Sequence, residues 1–219
     1  MAGWSTPGLQ TRLRFFQRHC DPTGMESWLD IGCGAGTYCQ WLRNYGCQTV
    51  VGLDYSLPSL LRAKQFYPQH ICWVNGSALS LPFADASFSG MICFGVSQVL
   101  HNIDELISEM YRVSKPGAKI WIDGLNLECV PHRWEISRRK RQGLSRHLNY
   151  TRPQQLVAVL EQNKFQVQAN HWLPMAPSRL PKAQVVLERS YVDWLFRKSD
   201  SIARLFCHSY VIQAERPQT

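Results

Sequence analysis

The chain has no C-x-x-C pair and no cysteine grouped with histidines at zinc-ligand spacing. Its eight cysteines are Cys20, Cys33, Cys39, Cys47, Cys72, Cys93, Cys129 and Cys207. Thiols scattered in this way read as small buried hydrophobes, so neither a metal site nor a disulfide framework is expected. No apolar run approaches the roughly 18–20 residues needed to cross a bilayer. The amino terminus from Met1 to Gly8 lacks the basic start and apolar stretch of a secretory signal, so a cytoplasmic address is expected. Peripheral membrane contact stays open. No repeat, low-complexity tract or flexible linker divides the 219 residues, and one domain is expected. Acidic residues are scarce: 16 Asp and Glu face 24 Lys and Arg, a formal charge of +8. The excess is local, because Lys and Arg crowd into 133–146 while the first hundred residues are much closer to neutral. That distribution points to an anionic partner at one surface, not to a uniformly basic nucleic-acid binder.

What is present is an alternation of short apolar runs with amphipathic segments. Strands are expected at 27–31, 49–53, 71–74, 88–94 and 119–123, with helices at 9–19, 37–44, 57–66 and 103–113. Lys115-Pro116-Gly117 reads as a turn. The tail is less regular, with a helix at 153–162, a strand at 165–170, an added helix at 182–196 and a last strand at 206–214. This pattern predicts an α/β fold: a Rossmann-like, doubly wound, mostly parallel seven-stranded sheet, helices on both faces and an antiparallel last strand. Two insertions are expected in the domain, a basic lid-like one at about 127–150 and a helical one at about 174–204.

The most informative segment runs from Trp28 to Tyr38, where a strand enters a G-x-G-x-G turn that opens a helix. Gly32 and Gly34 permit a tight turn and close approach of a ligand, and the helix offers free N–H groups. A nucleotide-like ligand at the carboxyl end of the first strand is the expectation. A dinucleotide fingerprint would need a sixth-position glycine, which is Thr37 here. Asp30, just before the loop, suits a cationic amino group and would repel a pyrophosphate, which disfavours NAD. Asp54, closing the second strand, can grip both hydroxyls of a ribose; alone it reads equally well as the cap of the next helix.

Together these residues resemble the motifs of class I S-adenosylmethionine-dependent methyltransferases, especially the broad group containing ubiquinone and menaquinone biosynthesis methyltransferases. The similarity extends from about Trp28 to Asp123. Within it, Asn75–Phe88 resembles the G-D-A, L-P-F and S-F-D stretches, Val99–Ile103 resembles V-L-H-H-I, and Glu109–Ala118 resembles E-x-x-R-V-L-K-P-G-G. The resemblance implies S-adenosylmethionine as cofactor, with Asp30, Gly32, Cys33, Gly34, Gly36, Asp54, Tyr55, Ser77 and Ala78 around it. Cys93 is expected beside its methionine end, as a buried thiol and not as a nucleophile. Ser77 stands where the family has an aspartate, leaving a neutral acceptor for the adenine amino group; Asn102 and Ser89 are the other departures.

Methyl transfer from a sulfonium needs alignment and a dry site more than a catalytic constellation. His101 is the one candidate general base near the expected methyl position, and the alternative is a locally packed helix-start histidine. The basic segment, with Arg138, Arg139, Lys140, Arg141, Arg146 and His147, reads as a solvated lid face or as an attractor of anions. The apolar side of the helix expected at 182–196 reads as core, interface or substrate wall. A small organic, amphipathic acceptor fits these features best. The alternatives are a tRNA or rRNA methyltransferase using the basic segment, which lacks any aromatic-basic stacking motif, and a catalytically silent cofactor-binding scaffold.

Overall fold

Every residue of the first strand, β1 (Ser27–Ile31), is buried, as a central strand covered on both faces requires. A computed structural model of the protein describes residues 6–67, 69–144, 148–174, 194, 196 and 198–218. Around β1 stand α1 (Thr6–His19), α2 (Thr37–Tyr45), β2 (Thr49–Asp54), α3 (Leu57–Phe66), β3 (Cys72–Asn75), β4 (Phe88–Cys93), α4 (Ile103–Val113) and β5 (Ser114–Asn126). There follow α5 (Val130–Arg141), β6 (Tyr150–Thr151), α6 (Pro153–Gln162), β7 (Gln166–Leu173), α7 (Asp200–Phe206) and β8 (Ser209–Glu215).

The sheet runs β3-β2-β1-β4-β5-β8-β7. The first five strands are parallel, and β8 lies antiparallel between β5 and β7. Strand order reverses between β1 and β4, which opens a crevice at their carboxyl ends, where such sheets take ligands. Alternation of side chains sorts the two faces. Leu29 and Ile31 join Met91, Ile120 and Ile122 under α4 and α6 in an aliphatic layer. Trp28 and Ile92 point the other way, into an aromatic layer with Phe16 of α1 and Tyr38 of α2. There Trp28 stacks on Trp121 with ring centres 5.6 Å apart, and Phe16 meets both edge-on. All eight cysteines are free thiols, and only Cys72 is exposed.

The sheet departs from expectation in three places. It has an eighth strand, the two-residue β6, which pairs in parallel with the end of β5. The turn expected at Lys115-Pro116-Gly117 lies inside β5: the register with β4 shifts between Phe88 and Gly90, and Gly117 bonds Arg216. The last strand begins at Ser209, because Phe206 closes α7, whose start is capped by the Ser199 hydroxyl accepting from Ile202 N. The helix expected at 182–196 lies outside the described residues except for Trp194 and Phe196, as do Arg146 and His147. No helix among the described residues is long and apolar enough to cross a membrane.

Candidate functional site

Three parallel strands each carry an aspartate after an apolar run, toward the same edge of the sheet: Asp30 on β1, Asp54 on β2 and Asp123 on β5. Between the first two lies the glycine turn. Its three glycines, all at positive φ, do different work. A Cβ on Gly32 would strike Val96 of the loop after β4, and one on Gly36 would strike the Trp73 ring, so those glycines serve close packing. A Cβ on Gly34 would meet nothing within 4 Å. Gly34 therefore marks the face of the turn left open to a ligand. Gly36 starts α2 without a side-chain cap, leaving the first N–H groups of that helix to other acceptors.

Asp54 fastens the turn to β2. One carboxylate oxygen accepts from Gly34 N at 2.8 Å and the other from Ser56 N at 2.8 Å. The helix cap is Ser56, not Asp54, since its hydroxyl accepts from Ser59 N. Each Asp54 oxygen thus keeps a lone pair for a further donor. Asn75, on β3, donates its amide to the carbonyls of both Asp54 and Tyr55, at 2.9 and 3.0 Å, and fixes the turn that presents them. The Tyr55 ring is 84% exposed beside that carboxylate. Asn75 escaped sequence reasoning; its only signal was a polar side chain at a strand end beside Gly76.

Asp30 is buried behind the turn, and its side-chain contact is a thiol: Cys39 Sγ donates at 3.4 Å. Burial pushes the Asp30 carboxyl up to about 7, against the Cys39 bond and with a further upward push from the Asp54 charge. A carboxyl in that state gains most from a cationic donor. Cys33 is buried in the turn; its contact with Cys39 pulls the thiol pKa down, but burial and the Asp30 and Asp54 charges together leave it raised. Ser77 is half-buried, its hydroxyl accepting from Leu79 N at 3.1 Å while its own proton stays available. Ala78 packs against the aliphatic core. Cys93 is fully buried in that core at the end of β4, where burial holds its thiol protonated.

The loop after β4 is braced from beneath. Asp123, fully buried, accepts from Gly95 N at 2.7 Å and from the Arg12 guanidinium at 2.9 Å, and its carbonyl accepts from the Ser97 hydroxyl at 2.6 Å. Arg12 comes from α1, where Phe16 follows it by four residues on the same buried face. Farther along the loop, Asn149 reaches over the edge: its N–H bonds the Gln98 carbonyl at 2.7 Å and its amide the Leu100 carbonyl at 2.6 Å. His101 follows, exposed, and no side-chain contact ties it to the residues above; Asn102 caps α4.

The donor set fits the cofactor that the sequence motifs imply. A buried carboxyl raised to about 7 suits the ammonium of an amino-acid moiety. The open face of Gly34 admits a close ligand, and the spare lone pairs of Asp54 suit a diol.

Comparison with known proteins agrees. The sequence profile of a methyltransferase domain family matches residues 29–122. The chain is 40% identical over 97 residues to 2-phytyl-1,4-naphtoquinone methyltransferase of Thermosynechococcus vestitus, covering 42% of each. It is 37% identical over 97 residues to the biotin biosynthesis bifunctional protein BioHC of Cellvibrio japonicus, covering 44% of this chain and 19% of that one. The chain thus spans less than half the length of these relatives. In overall fold it matches an S-adenosylmethionine-dependent methyltransferase from Mesorhizobium loti, with TM-score 0.70, 15% identity, and 94% and 98% of the two chains covered. Residues 29–122 therefore match a methyltransferase domain family, and the chain as a whole has the fold of S-adenosylmethionine-dependent methyltransferases.

Proposed function

We propose that the chain is an enzyme transferring a methyl group from S-adenosylmethionine to an oxygen, nitrogen or carbon of a small, amphipathic organic acceptor. The observation that carries this reading is the convergence of buried Asp30, the open face of Gly34 and the half-satisfied Asp54 carboxylate at one sheet edge. Bound there, the cofactor supplies an already activated sulfonium methyl, so the protein's share of catalysis is alignment and exclusion of water. Asp30 would hold the cationic amino group, Asp54 the ribose hydroxyls, Tyr55 and Ala78 the flanks of the adenine, and Ser77 would accept from its amino group. The turn from Gly95 to Ser97, braced by Asp123, would set the distance between methyl and acceptor. His101 is the candidate base for an acceptor that must lose a proton.

The quinone named for one relative is an amphipathic acceptor of this kind. The basic run at the end of α5 does not require RNA, because Arg138, Arg139, Lys140 and Arg141 occupy the last turn, where cations complement the helix dipole. A cytoplasmic site of action belongs to this reading. The test is thermal: saturating S-adenosylmethionine should raise the melting temperature, by about 2.7 kcal/mol of stabilisation at 100 times Kd. Asp54→Ala should abolish the rise. No shift in the wild-type chain would sink the proposal.

A further inference from the structure

Beyond β5 the chain builds a cavity whose described lining includes none of Asp30, Gly34 and Asp54. It has a volume of about 420 Å³ and lies among the segment after β5, α5, the start of α6 and α7. That volume is within the range of small-molecule sites, roughly 300–1,000 Å³. Among the described residues three arginines line it, Arg133, Arg152 and Arg204, and Glu128 is the one acidic residue of the wall. Leu127, Ile136 and Leu205 supply an apolar side.

The cations are positioned without being satisfied. Arg152 Nε and Arg204 Nε stand 3.6 Å from different oxygens of Glu128, an ion-pair distance too long for a hydrogen bond. The buried Arg204 Nε and Glu128 Oε2 accordingly have no hydrogen-bond partner among the described residues. Asp200 holds Arg204 from its other side at 2.7 Å, outside the cavity lining. Arg133 is exposed and has no ion pair among the described residues.

A single buried residue assembles this wall. Asn126, at the end of β5, donates its amide to the carbonyls of Arg204 and Cys207 at 2.8 Å each. Its side-chain oxygen accepts from Glu128 N at 2.9 Å, and its carbonyl meets His132 Nδ1 on α5 at 2.9 Å. The cavity is also joined to the methyl-transfer edge. Leu127 N bonds the Thr151 carbonyl, and the same short segment carries Asn149, which clasps the loop after β4, and Arg152.

We infer that this cavity binds the anionic head, a carboxylate or phosphate monoester, of a small amphipathic molecule whose apolar body lies along Leu127, Ile136 and Leu205. Planar guanidinium groups recognise such oxyanions through paired N–H donors, and Arg133 brings the charge that Glu128 leaves uncompensated. That the bound molecule is the methyl acceptor rests on the function proposed above; that the cavity selects an anion does not.

Isothermal titration with octanoate, octyl phosphate and octanol tests this directly. Either anion should bind saturably and at least roughly tenfold more tightly than octanol, the preferred one identifying the head group. Arg133→Glu should weaken anion binding by roughly tenfold or more, and Arg133→Ala by less, while the melting shift with S-adenosylmethionine is unchanged in both. Equal binding of octanol, or anion affinity that survives Arg133→Glu, overturns the inference. Absence of anion binding with the cofactor shift intact removes this cavity and leaves the methyl-transfer reading standing. Anion binding without a cofactor shift does the reverse.

Discussion

The two halves of the sheet edge are built on opposite principles. On the β1–β2 side, backbone does the work: a glycine turn, two strand-end carboxylates and N–H groups make the site, and side-chain bulk is kept out. Beyond β5, long side chains projecting from α5, α6 and α7 surround a cavity, organised by one buried asparagine. A backbone-made site takes one ligand shape and leaves a dense motif in the sequence. A side-chain-made site can change its ligand by single substitutions and leaves almost none. Under the function proposed above, one side would serve an invariant cofactor and the other a variable acceptor.

The sharpest way to break this division is to attack the brace that spans it. Arg12→Ala leaves Asp123 as an unpaired buried charge and should cost about 3–5 kcal/mol. The check is the urea unfolding midpoint, and a loss below about 1 kcal/mol would show that the brace is slack.

Asp30 should respond in the opposite direction. Its folded pKa of about 7 lies above its ordinary value of 3.8, so its contribution to stability is greatest below pH 3.8 and falls as pH rises through 7. Asp30→Asn should therefore stabilise the ligand-free chain near pH 8, by up to about 4 kcal/mol, while weakening cofactor binding. In the wild type, affinity for the cationic cofactor should climb as pH rises through about 7 and then level off. Calorimetric titration across pH 5.5–9 measures both effects, with a flat profile as the contrary result.

Asn126→Ala removes a side chain that bonds both α7 and the Glu128 backbone. It should cost about 1–3 kcal/mol per buried group left unpaired. If the two halves are separate devices, the variant should loosen the arginine wall while the cofactor still raises the melting temperature. Loss of both responses would mean that the halves cooperate.

The smallest effect is expected at His101. As an exposed side chain, its replacement by alanine should change stability by no more than about 0.5 kcal/mol. If it serves as the base, methyl transfer should slow by about 10²–10⁴, an effect confined to the rate.

Much of the fold was legible because burial imposes period and composition. The apolar run of β1 and the amphipathic 103–113 segment both stand where their patterns put them. The glycine turn was legible for a related reason, since close packing against Val96 and Trp73 admits no other residue at Gly32 and Gly36. What escaped was carried by single polar residues. Arg12, Asn75 and Asn126 are buried or half-committed groups that act once each, and one residue has no period to detect. A trace did exist: Asp123 repeats, on β5, the apolar run ending in aspartate already seen on β1 and β2. Beside that pattern, an arginine four residues before Phe16 on an apolar helix face was a counter-ion in search of its carboxylate. Phe206 was misplaced into the last strand because an aromatic flanked by short apolar runs suits either element; here Cys207 N bonds the Ala203 carbonyl and keeps Phe206 in the last turn of α7.

The ion pair between Arg12 and Asp123 has a bearing on where this protein can be cut. The stretch recognisable by descent stops at residue 122, one position short of that carboxylate, and starts seventeen positions after its guanidinium. The unit that heredity labels is therefore smaller than the unit that folds. Trimming the gene to the labelled stretch would excise the keystone together with both stones it locks. For the same reason, an exchange of acceptor specificity between relatives should transplant the segments beyond β5 and leave α1 with its own sheet.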